Sequence, residues 1–550
     1  MKLIIVGGVA GGASAAARAR RLSEDAEILL IERGPDVSFA NCGLPYYVGG
    51  EIVEREKLLV TTPERLRERF RLDVRTRTSV EAIDRAARKV TVRDLASGHE
   101  YEETYDKLIL APGAAPLRPP IPGIDLPGIF TLRNLGDVDR IKDRVDRGVK
   151  QVVVVGAGFI GLELVENFGH RGVATTVVEL QDQVLPPFDK EMTTPILEAL
   201  AGKGVSVLLG QSADGFEQTP DGLVVRLKSG QRLPAQLVIL GVGVRPENKL
   251  AVEAGLEVGP RGGIRVNEHL LTSDPDVYAV GDAIEVKDFV TGEPTQVPLA
   301  GPANRQGRIA ADHVFGRASR YRGTQGTAIV GVFGRTAAMT GASEKSLRRA
   351  NRLFRKVYVH PAHHAGYYPG AEQMTLKILF HPETGKLLGA QVVGGAGVDK
   401  RIDVLAVAIQ AGMTVYDLEE MELAYAPQYG SAKDPINMAG FVAGGLLRGE
   451  HPQTDWEEVA AMGDKPLLLD VRTPLEYANG HIPGAINIPV DDLRTRLAEL
   501  PKERPIVAYC QVGQRGYLAT RILMQVGADV SNLGGGYKTY LLHQPQPTRG

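Results

Sequence analysis

Cysteine is nearly absent from this sequence: only Cys42 and Cys510 occur among 550 residues. Two cysteines cannot build a disulfide framework, so we expect a reducing compartment, the cytoplasm. No apolar run approaches the roughly 18 residues of a membrane-spanning helix, so no membrane is expected. The net charge is only −2, which gives no general reason to expect nucleic acid as a partner. Glycine, by contrast, is abundant at 64 residues, which suits several nucleotide-binding turns.

The N-terminal residues follow a strand–turn–helix–strand pattern. Residues 2–6, "KLIIV", predict a buried strand, a helix is expected from about Ala13 to Leu22, and a second strand, "EILLIE", ends at Glu32. The turn "GGVAGG" supplies Gly7 and Gly12, but Val9 occupies the position of the middle glycine. The pattern indicates a dinucleotide-binding unit with an irregular turn.

A second and more regular unit occupies residues 151–179. "QVVVV" is followed by "GAGFIG", which contains Gly156, Gly158 and Gly161, and Glu179 ends the next strand. The glycines permit a tight turn close to a pyrophosphate, and the acidic residue suits ribose hydroxyls. Because a carboxylate repels a 2′-phosphate, we expect NADH rather than NADPH.

A third segment, "TSDPDVYAVGDA", supports a flavin in the first unit. Asp282 follows a glycine in a turn, where its carboxylate suits a ribityl hydroxyl. With Gly7 and Glu32 it predicts FAD, so that hydride passes from a nicotinamide to a flavin.

Cys42 lies just after the first unit, in "SFANCGLPYYVGG". A dithiol flavoenzyme has its second cysteine five residues further on, where this chain has Tyr47. A free cysteine is often no more than a small buried apolar residue. Its place after a nucleotide unit favours a redox role instead.

Several motifs carry a family resemblance. With "GVAGG", "HHAGYYPGA" and "YAPQYGSAKDPINMAG", the segment around Cys42 resembles the coenzyme A disulfide reductases among the pyridine nucleotide-disulfide oxidoreductases. "LLLDVRTPLEYANGHIPGAINIP" and "YCQVGQRG" resemble rhodanese. The whole chain is therefore similar to the coenzyme A-disulfide reductase/rhodanese fusions, which include NADH-dependent persulfide reductases.

The resemblance implies a fold class and domain limits. The expected fold is α/β, with two Rossmann-like domains, an α+β dimerisation domain and a C-terminal rhodanese-like domain. We expect an FAD domain formed by residues 1–150 together with 250–324, and an NAD domain at residues 151–249. A dimerisation domain is expected at 325–445, a linker at 446–454 and a rhodanese domain at 455–550.

The resemblance also implies a chemistry for the single thiol. Two electrons are stored as a mixed disulfide between Cys42 and coenzyme A (CoA), and the thiolate attacks the next disulfide or persulfide. The expected substrates are CoA persulfide, polysulfide or CoA disulfide. The positions that match CoA-contacting residues of the family are Ser14, Arg18, Arg21, Ser38, Asn41, Asn304 and Lys433. Arg20, on the same helix, is expected on a solvated charged face.

Two tyrosines match residues that the partner subunit contributes in this family. Tyr367 and Tyr425 are expected to hydrogen-bond the leaving thiolate or polysulfide, which requires a homodimer. The cluster His360, His363 and His364 lacks a carboxylate or cysteine pattern, so no metal is expected.

Cys510 opens the loop "CQVGQRG" between a strand and a helix. Backbone N–H groups of such a loop converge on the sulfur, and Arg515 adds positive charge, which suits a sulfane sulfur. A phosphatase loop has five residues between cysteine and arginine, whereas this loop has four. Asp470 and Arg472 are expected to hold the domain together. The direction of sulfur transfer between Cys510 and Cys42 stays open.

Two other functions are compatible with a flavin beside one thiol. A peroxidase or oxidase would use a Cys42 sulfenic acid, but such relatives have a histidine at the position of Ala10, which offers no acid or base. A redox sensor or sulfur carrier would use the same thiols without turnover, and the complete NAD site argues against it.

Overall fold

The computed structural model describes residues 1–501 and 503–544, and its chain divides into two compact units. The first contains residues 1–182 and 205–326, and the second contains residues 183–204 and the chain from 327 onward. Among the residues that the structure describes, no helix combines the length and apolar character needed to cross a membrane.

The first unit contains two five-stranded parallel sheets of the same plan. Their aliphatic strands are buried almost completely, as expected for parallel sheets covered on both faces. In spatial order, the first sheet consists of Val277–Ala279, Lys107–Leu110, Lys2–Val6, Glu27–Ile31 and Asp73–Arg75. The second consists of Ser206–Leu209, Ala174–Glu179, Gln151–Val155, Leu237–Leu240 and Ile129–Phe130.

Helices connect and cover these sheets. The helices of the first unit are Ala10–Leu22, Leu44–Gly49, Pro63–Phe70, Leu135–Asp146, Phe159–His170, Lys249–Glu253 and Ala300–Val314, with 3₁₀ turns at Asn41–Gly43, Arg55–Leu58 and Gly281–Ala283. The first and last of these helices pack closely, since a Cβ on Gly307 would lie 2.1 Å from the carbonyl oxygen of Gly11. This contact joins the N-terminal helix to a segment almost 300 residues away.

Smaller sheets complete the first unit. Their strands are Thr78–Asp84, Lys89–Asp94 and Glu100–Thr104; Ala213–Thr219, Gly222–Leu227 and Arg232–Ala235; Ala114–Pro116 and Val244–Pro246; and Ile264–Arg265, Ile284–Lys287 and Pro294–Thr295.

Within its described residues, the second unit contains one antiparallel and one parallel sheet. The antiparallel sheet, in spatial order, is Ala328–Val332, Arg335–Gly341, Leu387–Gly394, Thr375–Phe380 and Arg355–Val359. The parallel sheet is Gln453–Thr454, Val530–Leu533, Ile506–Tyr509, Leu467–Asp470 and Ile486–Asn487. The helices are Thr194–Gly202, Glu344–Arg349, Val398–Ala411, Val415–Glu420, Pro435–Leu447, Trp456–Met462, Pro474–Ala478, Gln514–Gln525 and Gly536–Leu542, and 3₁₀ turns occupy Lys190–Thr193, Leu493–Thr495 and Leu497–Glu499.

The linker that we predict at residues 446–454 overlaps regular structure at both of its ends. The preceding helix continues to Leu447, and Gln453–Thr454 already pairs with the parallel sheet. The apolar side chains of "FVAGGLL" extend the helix further than the glycines suggest.

A buried lysine joins acidic side chains of the second unit. The Lys377 ammonium lies 2.8 Å from Asp189, 2.5 Å from Glu191 and 2.5 Å from Glu344. These three carboxylates could surround a metal ion, but the ammonium group already provides the positive charge there. Lys356 bridges Glu344 to Glu457 of the C-terminal domain. Burial alone would raise the pKa of Glu344, but the two lysines outweigh it and hold the pKa at about 2. Removing one partner from the buried cluster around Lys377 costs about 3–5 kcal/mol. The ion pair that links this cluster to the C-terminal domain ends at Glu457, whose side chain is 48% exposed.

Candidate active site and sulfur-transfer loop

Cys42 lies on the 3₁₀ turn Asn41–Gly43, immediately before the helix Leu44–Gly49. The residue is exposed, as a thiol that reacts with small molecules requires. Partial desolvation of the thiol, together with the carboxylates of Glu163 and Asp282, raises its pKa above the ordinary value. The chain therefore places two acidic groups near the one thiol of the first unit.

Glu163 is a part of this site that our reading of the sequence missed. It lies on the helix Phe159–His170, and the Tyr46 hydroxyl donates a hydrogen bond of 3.5 Å to its Oε1. Burial raises the pKa of Glu163 to about 7, and the nearby Glu166 adds to the shift. The signal was available in the sequence, because Glu163 follows the last glycine of "GAGFIG" by two residues.

Neutralising Glu163 is expected to make the Cys42 thiol more acidic, but only above about pH 7. Above that pH the native carboxylate is charged and opposes the thiolate, whereas below it the carboxyl is protonated and resembles glutamine. In a Cys510→Ser background, the alkylation rate of Cys42 should reach half its maximum about 0.5–1 pH unit lower in Glu163→Gln. The measurement is the iodoacetamide rate of the reduced flavoprotein from pH 5 to 10.

The matched control is Glu54→Gln, which removes an exposed carboxylate from the surface. Its profile should superimpose on the native one. Identical profiles for Glu163→Gln and the native protein would show that Glu163 does not act on the thiol.

The two nucleotide turns are built alike. Gly7 and Gly156 have φ of +100° and +107°, and a Cβ on either would collide with a neighbouring carbonyl oxygen, so glycine is required. Gly12 and Gly161 lie within the helices that follow. A Cβ on Gly158 would meet nothing within 4 Å, so the turn leaves open space where a phosphate can approach. In the first turn that middle position is Val9, which precedes the helix without a side-chain cap.

The acidic residues at the strand ends brace these turns. Glu32 accepts hydrogen bonds of 2.7 Å from the backbone N–H groups of Gly8 and Gly34. Glu179 accepts equivalent bonds from Ala157 and Gln181 at 2.7 and 2.8 Å. Each carboxylate oxygen has further acceptor capacity, so both residues can also receive ribose hydroxyls.

Asp282 lies on the 3₁₀ turn Gly281–Ala283. Burial raises the pKa of its carboxyl, and Arg133 opposes that shift. The half-buried carboxylate of Asp282 lies beside the sheet that carries the first nucleotide turn. It can accept a hydrogen bond from a hydroxyl group of a cofactor such as a flavin. With Gly7 and Glu32, Asp282 provides donor and acceptor groups that suit FAD.

The structure brings together some of the residues implied to contact CoA. The Ser14 hydroxyl donates a hydrogen bond to Oδ1 of Asn304, although 290 residues separate them. Arg18 forms an ion pair of 2.7 Å with Asp312 through Nε, and Arg21 is exposed on the same helix. Ser38 and Asn41 lie on the segment that carries Cys42. The Ser38 N–H donates a hydrogen bond to the carbonyl of Gly8, and the φ angle of Ser38 is +47°. Asn41 is exposed.

The expectation for Arg20 is wrong. Arg20 is only 6% exposed, and its guanidinium donates to four backbone carbonyls, those of Phe70, Arg71, Ser23 and Glu24. The helix Pro63–Phe70 ends here, and a cation is favourable at the carbonyl-rich end of a helix. Sequence periodicity gave no sign of this packing partner.

In the second unit, Tyr367 and Tyr425 lie side by side. Their hydroxyl oxygens are 2.9 Å apart, and the side chains are 77% and 50% exposed. Lys433 is also exposed. The nearby histidines make protein hydrogen bonds: His360 is buried between Thr375 and Thr539, and the Nδ1 atoms of His363 and His364 face backbone groups.

Cys510 lies directly after the strand Ile506–Tyr509 and is buried. The backbone N–H of Gly513 donates to its sulfur at 3.2 Å, as expected for a loop that stabilises a negative sulfur. Arg515 lies in the first turn of the following helix and pairs with Glu476 at 2.6 Å. That pairing raises the pKa of Arg515, and the nearby Cys510 adds to the shift.

Asp470 and Arg472 form a buried pair of 2.6 Å. Arg472 also donates to the carbonyl of Gly480 and to the side chain of Gln511, the residue after Cys510. The pair therefore braces the C-terminal domain and the loop that carries its cysteine.

Comparison with known proteins agrees with this architecture. Residues 1–307 match the family described as pyridine nucleotide-disulphide oxidoreductase, residues 327–434 its dimerisation domain, and residues 455–543 the rhodanese-like domain. A coenzyme A disulfide reductase from Staphylococcus haemolyticus is 37% identical over 80% of this chain and 99% of its own length.

Two solved structures resemble almost the whole chain. Reduced CoADR-RHD from Bacillus anthracis has 49% identity, a TM-score of 0.96, and coverage of 98% of both chains. An NAD-dependent persulfide reductase from A. fulgidus has 36% identity and a TM-score of 0.92, covering 98% of this chain and 100% of its own.

Proposed function

The chain belongs to the pyridine nucleotide-disulphide oxidoreductase family, and from that premise we propose that it uses FAD and NADH to reduce CoA persulfide, polysulfide or CoA disulfide through Cys42. The observation that carries the proposal is a solitary exposed thiol on the turn Asn41–Gly43. The only other cysteine, Cys510, belongs to the other compact unit. We infer that the second sulfur comes from the substrate.

The chemistry at Cys42 takes two steps. The Cys42 thiolate attacks the CoA sulfur of CoA persulfide, the sulfur–sulfur bond breaks, and hydrosulfide leaves. With CoA disulfide, the leaving group is a CoA thiolate. Two electrons and a proton then cleave the mixed disulfide, release CoA and restore the Cys42 thiolate. The flavin, when bound, supplies these electrons from NADH.

Residues of this chain would bind both nucleotides. The open space at Gly158 suits the pyrophosphate of NADH, and Glu179 disfavours a 2′-phosphate. Gly7, Glu32 and Asp282 suit FAD. Glu163, with a pKa of about 7, can hold or release a proton near Cys42 at neutral pH.

The remaining predicted groups act on CoA. Ser14, Arg18, Arg21 and Asn304 would bind its phosphates and pantetheine, together with the Ser38–Asn41 segment and Lys433. Arg18 has its Nε engaged by Asp312, so its terminal nitrogens would make the contact. In a homodimer, which the dimerisation-domain match supports, Tyr367 and Tyr425 of one subunit would donate hydrogen bonds to the leaving thiolate at the other.

The C-terminal loop supplies sulfane sulfur. The Cys510 thiolate takes the outer sulfur of thiosulfate and releases sulfite, which leaves a Cys510 persulfide. The Gly513 N–H and the positive charge of Arg515 stabilise this anion. A CoA thiolate then accepts the sulfur and becomes the CoA persulfide that Cys42 reduces.

An anaerobic comparison of acceptors tests the proposal. NADH oxidation is followed with CoA persulfide, CoA disulfide and hydrogen peroxide at equal concentrations. CoA persulfide should give one hydrosulfide for each NADH, CoA disulfide should give two CoA thiols, and peroxide should give no turnover. Turnover with peroxide alone would mean that Cys42 works as a sulfenic acid in spite of Ala10.

A further inference from the structure

A cavity of about 580 Å³ opens in the second unit beside the C-terminal domain. Its walls come from the turn and strand start at residues 333–335, from the antiparallel-sheet region at 372–373, and from one helix of the rhodanese-like domain. The lining residues are Phe333, Gly334, Arg335, Glu372, Gln373 and Lys538. This volume lies in the range of sites that bind small molecules, roughly 300–1,000 Å³.

The charges in this cavity are unbalanced. Lys538 donates to the side-chain oxygen of Gln373 at 3.0 Å, and no carboxylate pairs with it among the described residues. Arg335 pairs with Glu372 at 4.0 Å, and Glu372 is itself part of the cavity lining. Burial and the positive charge of Arg335 together lower the pKa of Lys538, and the carboxylate of Glu198 opposes that shift. The lining therefore carries two cations, Arg335 and Lys538, against one carboxylate, Glu372, so its net charge is positive, and phosphate suits both cationic side chains.

The cavity adjoins the Cys510 loop through the backbone of Lys538. The Lys538 N–H donates to the carbonyl of Gln511 at 3.0 Å, and the Tyr537 N–H donates to that of Cys510 at 2.7 Å. The same helix is held to the antiparallel sheet, because His360 hydrogen-bonds the Thr539 hydroxyl at 2.8 Å. Lys538 therefore lies at a fixed position beside the sulfur-carrying loop.

We propose that the Arg335–Lys538 cavity binds the phosphate groups of the thiol that takes sulfur from Cys510. This inference rests on the proposed function, in which that thiol is CoA. The phosphates lie in the cavity while the long pantetheine arm brings the thiol to the loop. The CoA thiolate attacks the outer sulfur of the Cys510 persulfide, a new sulfur–sulfur bond forms, and the Cys510 thiolate leaves. No further oxidant or reductant is needed.

The test compares acceptors that differ only in their phosphates. Sulfur transfer from thiosulfate is measured with CoA and with pantetheine, which has the same thiol arm without phosphate. In the Arg335→Gln/Lys538→Gln variant, KM for CoA should rise about 100-fold, roughly tenfold for each charge-assisted contact that is lost, whereas KM for pantetheine should stay the same. Removing two mutually repelling cations should not unfold the protein, which a thermal melt checks.

The matched control is Arg349→Gln, which removes an exposed cation from the same unit. It should leave both KM values unchanged. Equal effects of the double variant on CoA and pantetheine, or no effect on either, would overturn the inference. A rise in KM for thiosulfate alone would also overturn it, because the cavity would then bind the inorganic donor. If the native protein transferred no sulfur to CoA at all, the proposed sulfur-transfer function itself would fail.

Discussion

Replacing Cys42 with serine is expected to abolish NADH-dependent reduction of CoA persulfide and CoA disulfide, with a loss of at least about 1,000-fold. A serine hydroxyl is not ionised at neutral pH and cannot form a mixed disulfide. The first unit contains no other cysteine to replace it. The flavin should still be reduced by NADH, because the two nucleotide turns do not involve this side chain.

Two measurements separate these steps. Steady-state NADH oxidation with each acceptor reports the thiol chemistry, and anaerobic bleaching of the flavin band reports hydride transfer. Cys42→Ala is the matched variant, and it should behave like Cys42→Ser. If either variant kept substantial turnover with CoA disulfide, the electrons would reach the substrate without a covalent Cys42 intermediate.

Replacing Cys510 with serine should impair the supply of sulfur and spare the reduction of CoA substrates. Turnover of NADH with thiosulfate and CoA should fall by at least about 100-fold, since no other residue in the C-terminal loop can carry a sulfane sulfur. Reduction of added CoA disulfide or CoA persulfide should continue at the native rate, because these substrates react at Cys42. The measurement is NADH oxidation with each donor and acceptor in turn.

The control for this prediction is Gln511→Ala, which keeps the thiol but removes the amide that Arg472 contacts. It should slow thiosulfate-dependent turnover far less than Cys510→Ser does. Unchanged turnover of Cys510→Ser with every sulfur donor would refute the coupling of the two thiols.

Much of the fold follows from local sequence patterns. The strands Lys2–Val6 and Gln151–Val155 have the limits that their aliphatic runs predict, because buried β-branched residues bounded by turns have few alternatives. The first helix starts at Ala10, three residues before the predicted Ala13. No side chain caps the beginning of this helix, and the glycine and alanine residues there do not indicate where it begins.

Contacts between segments that are distant in the sequence were harder to predict. The family resemblance gives Ser14 and Asn304 as CoA-contacting positions but does not predict the hydrogen bond between them, and the burial of Arg20 against the end of another helix was not predicted either. The Arg335–Lys538 cavity combines segments 203 residues apart, which no periodicity indicates. Long-range packing, rather than local propensity, determines these features.

The most direct test of the account is the mass of the protein after anaerobic incubation with CoA disulfide. The single-thiol mechanism predicts one added CoA, located by peptide mapping on Cys42, and its release as one equivalent of free CoA when NADH is supplied. CoA attached to Cys510 instead, or a Cys42 that carries only oxygen and never CoA, would contradict it.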